Sequence, residues 1–286
     1  MTRLCFLTLE DRADFVIDDE LAIAELARRG IAVEEVPWRR AGDASGYDAV
    51  VIRTPWDYQR DLPAFLATLD AIAAARVPLA NDPALVRWNA DKRYLGELAA
   101  RGVPIVPTTY GVGLTVDELR GMPGRLGVGE CVVKPVVGAN ADDTYRVTAE
   151  SASQEVVSRY VDRAWMAQPF VEAVVSEGEH SLFFFDGELS HAIVKIPRRG
   201  DFRVQEEHGG EILAEEATAE LVAAATGVMA ALGDPPLQAR VDLVRLADGS
   251  LALMELEAIE PSLYFRMHPR APAHFADAIE RWLARR

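Results

Sequence analysis

The 286-residue sequence predicts a mixed α/β and α+β fold: an amino-terminal doubly wound parallel sheet, followed by antiparallel hairpins flanked by helices. Three observations carry this. Over residues 1–85 short apolar runs alternate with amphipathic stretches, the pattern of β–α units. From residue 115 onward, two Asp-Gly turns lie between apolar runs and signal hairpins. Half of the residues are hydrophobic, enough for a sizeable core in one or two domains.

In chain order, residues 3–9 (Arg-Leu-Cys-Phe-Leu-Thr-Leu) read as a strand. Asp18 to Arg29 reads as a helix, with acids in its first turn, arginines in its last and Gly30 as its stop. Ile31 to Val36 and Ala49 to Ile52 are short strands, Asp61 caps a helix over 62–75, and Val77 to Leu79 is a further strand. Helical segments at Pro83 to Trp88 and Asp91 to Arg101 end at Gly102 and lead into a proline-containing extended stretch, 103–107. Strands are expected at 131–136, 144–148 and 165–170, and helices at 152–163, 215–232 and 272–285. Hairpins are expected at 183–189 and 246–251. The implied organisation is an amino-terminal α/β domain (1–85), a helical connector (86–114), a small α+β unit (115–170) and a larger one (171–286).

Composition removes several function classes. A net charge of −15, with arginines scattered singly or in pairs, argues against nucleic acid as a partner. No apolar run is long enough to span a bilayer, and the first residues lead directly into a strand, so no membrane partner and a cytoplasmic location are expected. Cys5 and Cys131 both lie in apolar runs and read as small core residues. Of 30 basic residues only three are lysines, Lys92, Lys134 and Lys195, leaving 27 arginines. Lysine is a compact point charge suited to a phosphate oxygen, so its scarcity marks these positions out.

The hairpin at 246–251 supports a register argument. With Asp248-Gly249 at the turn, Val244 opposes Leu253, Asp242 opposes Glu255 and Arg240 opposes Glu257. Like charges directly opposed on a sheet are destabilising, so the Asp242–Glu255 pair points to a divalent cation between them. Magnesium is the natural occupant, since it takes carboxylate oxygens and leaves positions for phosphates. The alternative is that both carboxylates face solvent.

Arg240-Val-Asp242 followed by Glu255-Leu-Glu257 resembles the metal-binding hairpin of the ATP-grasp superfamily. Other pieces follow in that family's order. Lys92, and Lys134 within Val132-Val-Lys-Pro135, resemble its two phosphate-contacting lysines. Val137 to Asp143, with Gly138, resembles the flexible loop that covers the phosphates. Ala167-Gln-Pro-Phe-Val171 resembles the adenine-reading hinge, which implicates Gln168, Phe170 and Val171, and Glu179 matches the acid that receives the ribose hydroxyls. The family's last metal position is an asparagine, whereas Glu257 stands here. No P-loop sequence and no glycine-rich dinucleotide fingerprint is present. Arg53 to Tyr58, Gly200-Asp-Phe-Arg203, Gly209-Gly210 and Glu255 to Pro261 further resemble the cyclo-ligases that close O-ureidoserine to cycloserine, a group related to glutathione-synthetase-like ATP-grasp proteins.

The resemblance implies an ADP-forming, magnesium-dependent ligase that uses ATP and Mg2+ to activate a small amino-acid-like carboxylate as an acyl phosphate for attack by nitrogen. Asp242, Glu255 and Glu257 would hold magnesium. Arg240 would stabilise the transferring phosphoryl group or the oxyanion, Arg203 would share that role or grip the substrate carboxylate, and Lys195, the third catalytic candidate, would reach the nucleotide or the substrate. Arg53, Trp56, Asp57, Tyr58, His208 and Ser262 would line the substrate side, Asp57 holding an amino group and His208 moving a proton. A peptide ligase or macrocyclase, a carboxylate kinase and a non-catalytic nucleotide-binding module stay open as alternatives. A homodimer accords with the family, although no interface is legible in the sequence.

Overall fold

A computed structural model describes all 286 residues, Met1–Arg286, as three sheets with helices between and outside them. The first sheet is parallel, with order β2-β1-β3-β4, and contains β1 (Thr2–Thr8), β2 (Ile31–Pro37), β3 (Ala49–Thr54) and β4 (Leu79–Ala80). Its central strands are buried on both faces. Leu4, Phe6, Ala49 and Val51 pack with Ala22 and Leu26 of α1 (Asp19–Arg28), whereas Cys5, Leu7, Val50 and Ile52 pack with Phe65, Leu69 and Ile72 of α2 (Leu62–Ala74). Side chains alternate across a strand, so an apolar run with no polar member requires cover on both sides. Asp61 caps α2 as expected, accepting from the Ala64 N–H.

Two helices, α3 (Pro83–Asn89) and α4 (Tyr94–Ala100), lead to β5 (Thr109–Val112) and α5 (Val116–Arg125). The sequence reading missed these last two elements, although Thr115 and Glu118 form a reciprocal capping box whose spacing is visible in the chain. β5 joins an antiparallel sheet of order β5-β8-β6-β7 with β6 (Cys131–Pro135), β7 (Tyr145–Val147) and β8 (Ala164–Pro169). The helix expected over 152–163 is only α6 (Gln154–Ser158). The chain turns out of it so that Tyr160 can bury its ring and donate its hydroxyl to the Val133 carbonyl at 3.3 Å.

After α7 (Ala173–Ser176), the third sheet has order β11-β10-β9-β12-β13, all antiparallel. It comprises β9 (Glu179–Phe185), β10 (Glu188–Ile196), β11 (Glu211–Glu215), β12 (Gln238–Arg245) and β13 (Leu251–Glu257). The 215–232 helix begins later than expected: β11 takes Glu215 to pair with Ala192, and Thr218 caps α8 (Ala219–Ala230). α9 (Ala271–Ala284) closes the chain, and its Phe275 packs against both Phe6 and Phe185, which joins the parallel sheet to the third sheet through one core.

β13 is an edge strand, yet its outward backbone groups are satisfied. The Leu256 N–H donates to the Tyr94 hydroxyl at 2.8 Å, the Ala258 N–H donates to Asn89 at 2.8 Å, and Leu253 bonds with Pro104 and Val106. The helices α3 and α4 thereby fix the strand that carries Glu255 and Glu257. No helix is long and apolar enough to cross a membrane.

Candidate active site

An open cavity of roughly 1600 Å3 lies where the loops after the parallel sheet meet the two antiparallel sheets. All three lysines of the chain line it. Lys92 reaches it from the turn before α4, Lys134 from β6 and Lys195 from β10. Gln168, Phe170, Val171, Glu179, Arg203, Arg240, Asp242, Glu255, Glu257, Ser262, Gly138, Trp56 and Tyr58 line it too.

The expected register holds where charge is placed: Arg240 opposes Glu257, and Asp242 opposes Glu255. It fails toward the turn. A bulge leaves Met254 unpaired, so Leu243 opposes Leu253 and Val244 opposes Ala252 instead of Leu253. Bulges re-aim side chains, and Met254 faces the cavity.

The cavity's charges are interleaved. Lys92 Nζ lies 3.1 Å from Glu255 and donates to the Gly138 carbonyl at 2.6 Å. Lys195 Nζ lies 2.5 Å from Glu179 and 3.3 Å from Asp242. Arg240 donates to Asp242 at 2.9 Å and also to Glu257, and the Ser181 hydroxyl donates to Asp242 at 2.5 Å. Gly178, with φ +99°, sets up Glu179: a Cβ there would stand 2.9 Å from the Lys195 carbonyl oxygen.

Burial alone would neutralise these groups, and the partners decide the outcome. Burial pushes Asp242 up, but Arg240 and Lys195 outweigh it and hold the carboxyl well below its usual range. Burial also works to raise Glu255, against which Lys92 and Lys134 prevail and lower it. Burial and Arg240 work to lower Lys195, and Asp242 with Glu179 hold it above its ordinary value. Burial wins at Glu179, which is raised, and at Glu257, which is raised to about 7. Lys134 stands in no salt bridge, and burial lowers its pKa.

Several expected residues stand elsewhere or otherwise engaged. Arg53 does not face the cavity: it is fully buried, gripping Asp19 at 2.8 and 3.1 Å and donating to Gln238 at 2.8 Å. Its position at a strand end left open which way the side chain turned, and the burial of Asp19 and Gln238 drew it inward. Asp57 likewise lies off the cavity, accepting from the Trp38 indole at 2.7 Å. His208 does not line the cavity either; its Nε2 contacts the Asn140 carbonyl at 3.0 Å and so tethers the loop 137–143. Arg203 is held by Asp201 at 2.7 Å, and one face of Phe170 is covered by the Arg146 guanidinium 3.7 Å from the ring centroid. Gln168 donates to the Thr108 hydroxyl at 3.1 Å. Asn140 lines the cavity from the expected loop 137–143, whereas Glu260 and Tyr264 line it without having been singled out; Glu260 stood within the Glu255 to Pro261 segment and had a visible signal.

No group of three His, Cys, Asp or Glu side chains converges so as to hold a metal ion. The expected three-carboxylate cluster is not assembled: Asp242, Glu255 and Glu257 are each turned to a cationic side chain instead. The donor chemistry nonetheless fits magnesium, being all carboxylate oxygen, and the cations that now balance it show that these groups require positive charge.

An amino-terminal parallel sheet joined to two antiparallel sheets that enclose a lysine-and-carboxylate cavity defines the ATP-grasp class of ligases. Residues 105–237 match the prokaryotic glutathione synthetase ATP-grasp domain family, and residues 4–81 match the family described as D-cycloserine synthetase DcsG, N-terminal domain. The cycloserine biosynthesis protein DcsG of Streptomyces lavendulae is 36% identical over 270 residues, covering 87% of this chain and 88% of that protein. The crystal structure of D-cycloserine synthetase DcsG superposes with a TM-score of 0.87 at 32% identity, covering 98% of this chain and 99% of that one. The ATP-grasp ligase PsnB, complexed with a minimal precursor variant, Mg and ADP, shares the fold at a TM-score of 0.65 and 17% identity, with 98% of each chain covered. The chain belongs to the DcsG family of ATP-grasp ligases.

Proposed function

We propose that this ligase spends ATP to activate the carboxylate of a small amino-acid-like substrate as an acyl phosphate, which a nitrogen of the same substrate then attacks. O-ureidoserine is the first candidate, since the DcsG relatives are named for cycloserine formation. The observation that supports this best is that every lysine of an arginine-rich chain lines one cavity, opposite Asp242 and Glu255. Phosphoryl transfer asks a protein mainly for positioning and neutralisation of charge. Lys92 and Lys134 are placed to neutralise phosphate, and the loop 137–143 to cover it. Gln168, Phe170 and Val171 serve the adenine side, and Glu179 serves the ribose. Asp242, Glu255 and Glu257 would hold magnesium, which when bound neutralises phosphate charge. Arg240, with Arg203 and Lys195, meets the charge that develops on the reacting carboxylate. Trp56, Tyr58 and Ser262 face the substrate. We take residues 1–85 as the substrate-side domain, 86–114 as the connector, and 115–170 with 171–286 as the two halves that grip the nucleotide.

Phosphate release from Mg·ATP, measured with O-ureidoserine and a panel of amino acids, tests the proposal. Substrate-dependent release of ADP and phosphate, abolished by Asp242→Ala with Glu255→Ala, is expected. Release with no new carbon–nitrogen bond in the product would identify a kinase instead, and the absence of ATP binding would overturn the assignment.

A further inference from the structure

Asp142 and Glu207 line the cavity as exposed side chains, and its buried or half-buried acids are matched to cations with one exception; Glu206 pairs with Arg266. Glu179 and Asp242 share Lys195, Asp242 and Glu257 share Arg240, and Glu255 has Lys92. Glu260 lines the same cavity, is only 9% exposed, and takes part in none of the chain's ion pairs with arginine or lysine. Tyr58 lines the same cavity, where burial raises its pKa and the charge of Glu260 pushes it further up. Burial, with Glu257 and Glu255 beside it and Lys92 opposing, pushes the Glu260 pKa up to about 8, so the side chain holds a proton unless a cation comes to it.

The surroundings of Glu260 are built, not incidental. The Trp56 indole N–H donates to the Glu260 carbonyl oxygen at 2.8 Å, which fixes the backbone at this residue while the indole lines the cavity. Aromatic faces attract cations. Two residues further along, the Ser262 carbonyl accepts from Arg240 at 3.5 Å. An acid with aromatic neighbours and a guanidinium therefore line one cavity, the two groups that the ammonium and carboxylate of a zwitterion require.

We propose that Glu260, flanked by Trp56 and Tyr58, receives the ammonium group of a zwitterionic amino-acid substrate whose carboxylate is directed toward Arg240. This rests on the ligase reading above and deepens it by naming the residue that makes the substrate's free amino group a requirement. The pairing of charges at one site also rejects desamino acids, because their binding leaves Glu260 without a cation.

Calorimetric titration of the full chain, with Mg2+ and a non-hydrolysable ATP analogue present, tests this with O-ureidoserine and its desamino counterpart, 3-(ureidooxy)propanoate. The wild type is expected to bind the amino-bearing compound roughly 10- to 100-fold more tightly, as one charged hydrogen-bonded contact provides. Glu260→Gln keeps the shape of the side chain and is expected to abolish that preference while leaving the desamino compound's affinity within about threefold. No preference in the wild type overturns the inference, and that arm stands even where the variant fails to fold. A preference that survives in Glu260→Gln also overturns it, as does a variant that loses turnover with its preference intact. Phosphate release in the same samples separates the two levels. Turnover without amino-group preference removes Glu260's role alone, whereas neither binding nor turnover of any carboxylate removes the ligase reading with it.

Discussion

Arg53 grips Asp19 through two hydrogen bonds of 2.8 and 3.1 Å, with both side chains almost wholly buried at 1% and 2% exposure. A third bond, to Gln238 at 2.8 Å, carries this ion pair across from the parallel sheet to β12, the strand of Arg240 and Asp242. The pair therefore fastens the first sheet to the strand at the centre of the site. Removing one partner of a buried pair strands the other charge. Arg53→Met is expected to lower unfolding free energy by about 3–5 kcal/mol, and Arg53→Met with Asp19→Leu to recover much of that loss. Urea unfolding of the two variants checks this; a loss in Arg53→Met well under about 1 kcal/mol contradicts the buried-pair account.

That strut also shows where sequence reading stops. The opposition of Asp242 to Glu255 was legible because an Asp-Gly turn fixes a local register, and the three lysines that converge on the cavity stood out because lysine is so rare in this chain. The bulge at Met254 was not, since the extra residue packs against the Val106 cluster and the cavity, while Leu253 beside it bonds with Pro104 and Val106, contacts remote in sequence. Arg53 and Asp57 were misplaced for a related reason. Their chain position brings them near the cavity, but Asp19 and Gln238 hold the one and Trp38 holds the other, through contacts formed only by the folded chain. Glu260 lay in plain view in sequence, but its lack of a cation could be seen only once the other buried acids of the cavity had found theirs.

Stability should fall in mild acid because of His191. Its ring stacks on Phe183 at 4.2 Å between centroids, and its Nε2 lies 3.0 Å from the Leu263 carbonyl, which can only accept, so that nitrogen carries the proton of a neutral ring. Ser190 contacts Nδ1 at 3.0 Å, with His268 and His274 beyond. Burial, opposed by the bond to Leu263, pushes its pKa down from 6.5 to about 3. The unfolded chain thus binds a proton that the folded chain refuses between those values, so this stability is complete above pH 6.5 and is lost as pH falls toward 3. Wild type should lose about 1.4 kcal/mol per pH unit through this group below pH 6.5, a slope missing from His191→Gln. Urea titrations at pH 7.5 and 5.5 measure it; equal slopes in both proteins would falsify the assignment.

Amine-selective acylation should report on the cavity almost alone. The only primary amines are the three cavity lysines and the Met1 amino group, and burial lowers the pKa of Lys134, which leaves more of it as free amine. Lys92 and Lys195 are each held by a carboxylate. Labelling at pH 8 is expected fastest at Lys134 among the lysines, and Mg·ATP at about ten times its Kd is expected to slow it about tenfold. Peptide mass spectrometry with and without nucleotide provides the measurement. Labelling of Lys134 that ignores nucleotide would place it away from the phosphates.

Glu257 distinguishes this chain from the asparagine of the wider superfamily pattern, and its present partner is Arg240. Two outcomes follow from the two tasks such a residue can have. Glu257→Asn keeps an oxygen donor but removes one charge from the ligand set, so if Glu257 holds magnesium, half-saturation by Mg2+ should rise on the order of tenfold. The same substitution frees Arg240 from one carboxylate while leaving it bound to Asp242 at 2.9 Å, so the site's geometry has a remaining anchor. Because magnesium needs the carboxylates that Arg240 and the lysines now hold, we expect the magnesium effect to dominate. Turnover measured against free Mg2+ settles it: an unchanged half-saturation with reduced thermal stability would assign Glu257 to Arg240 and leave Asp242 and Glu255 as the only protein ligands.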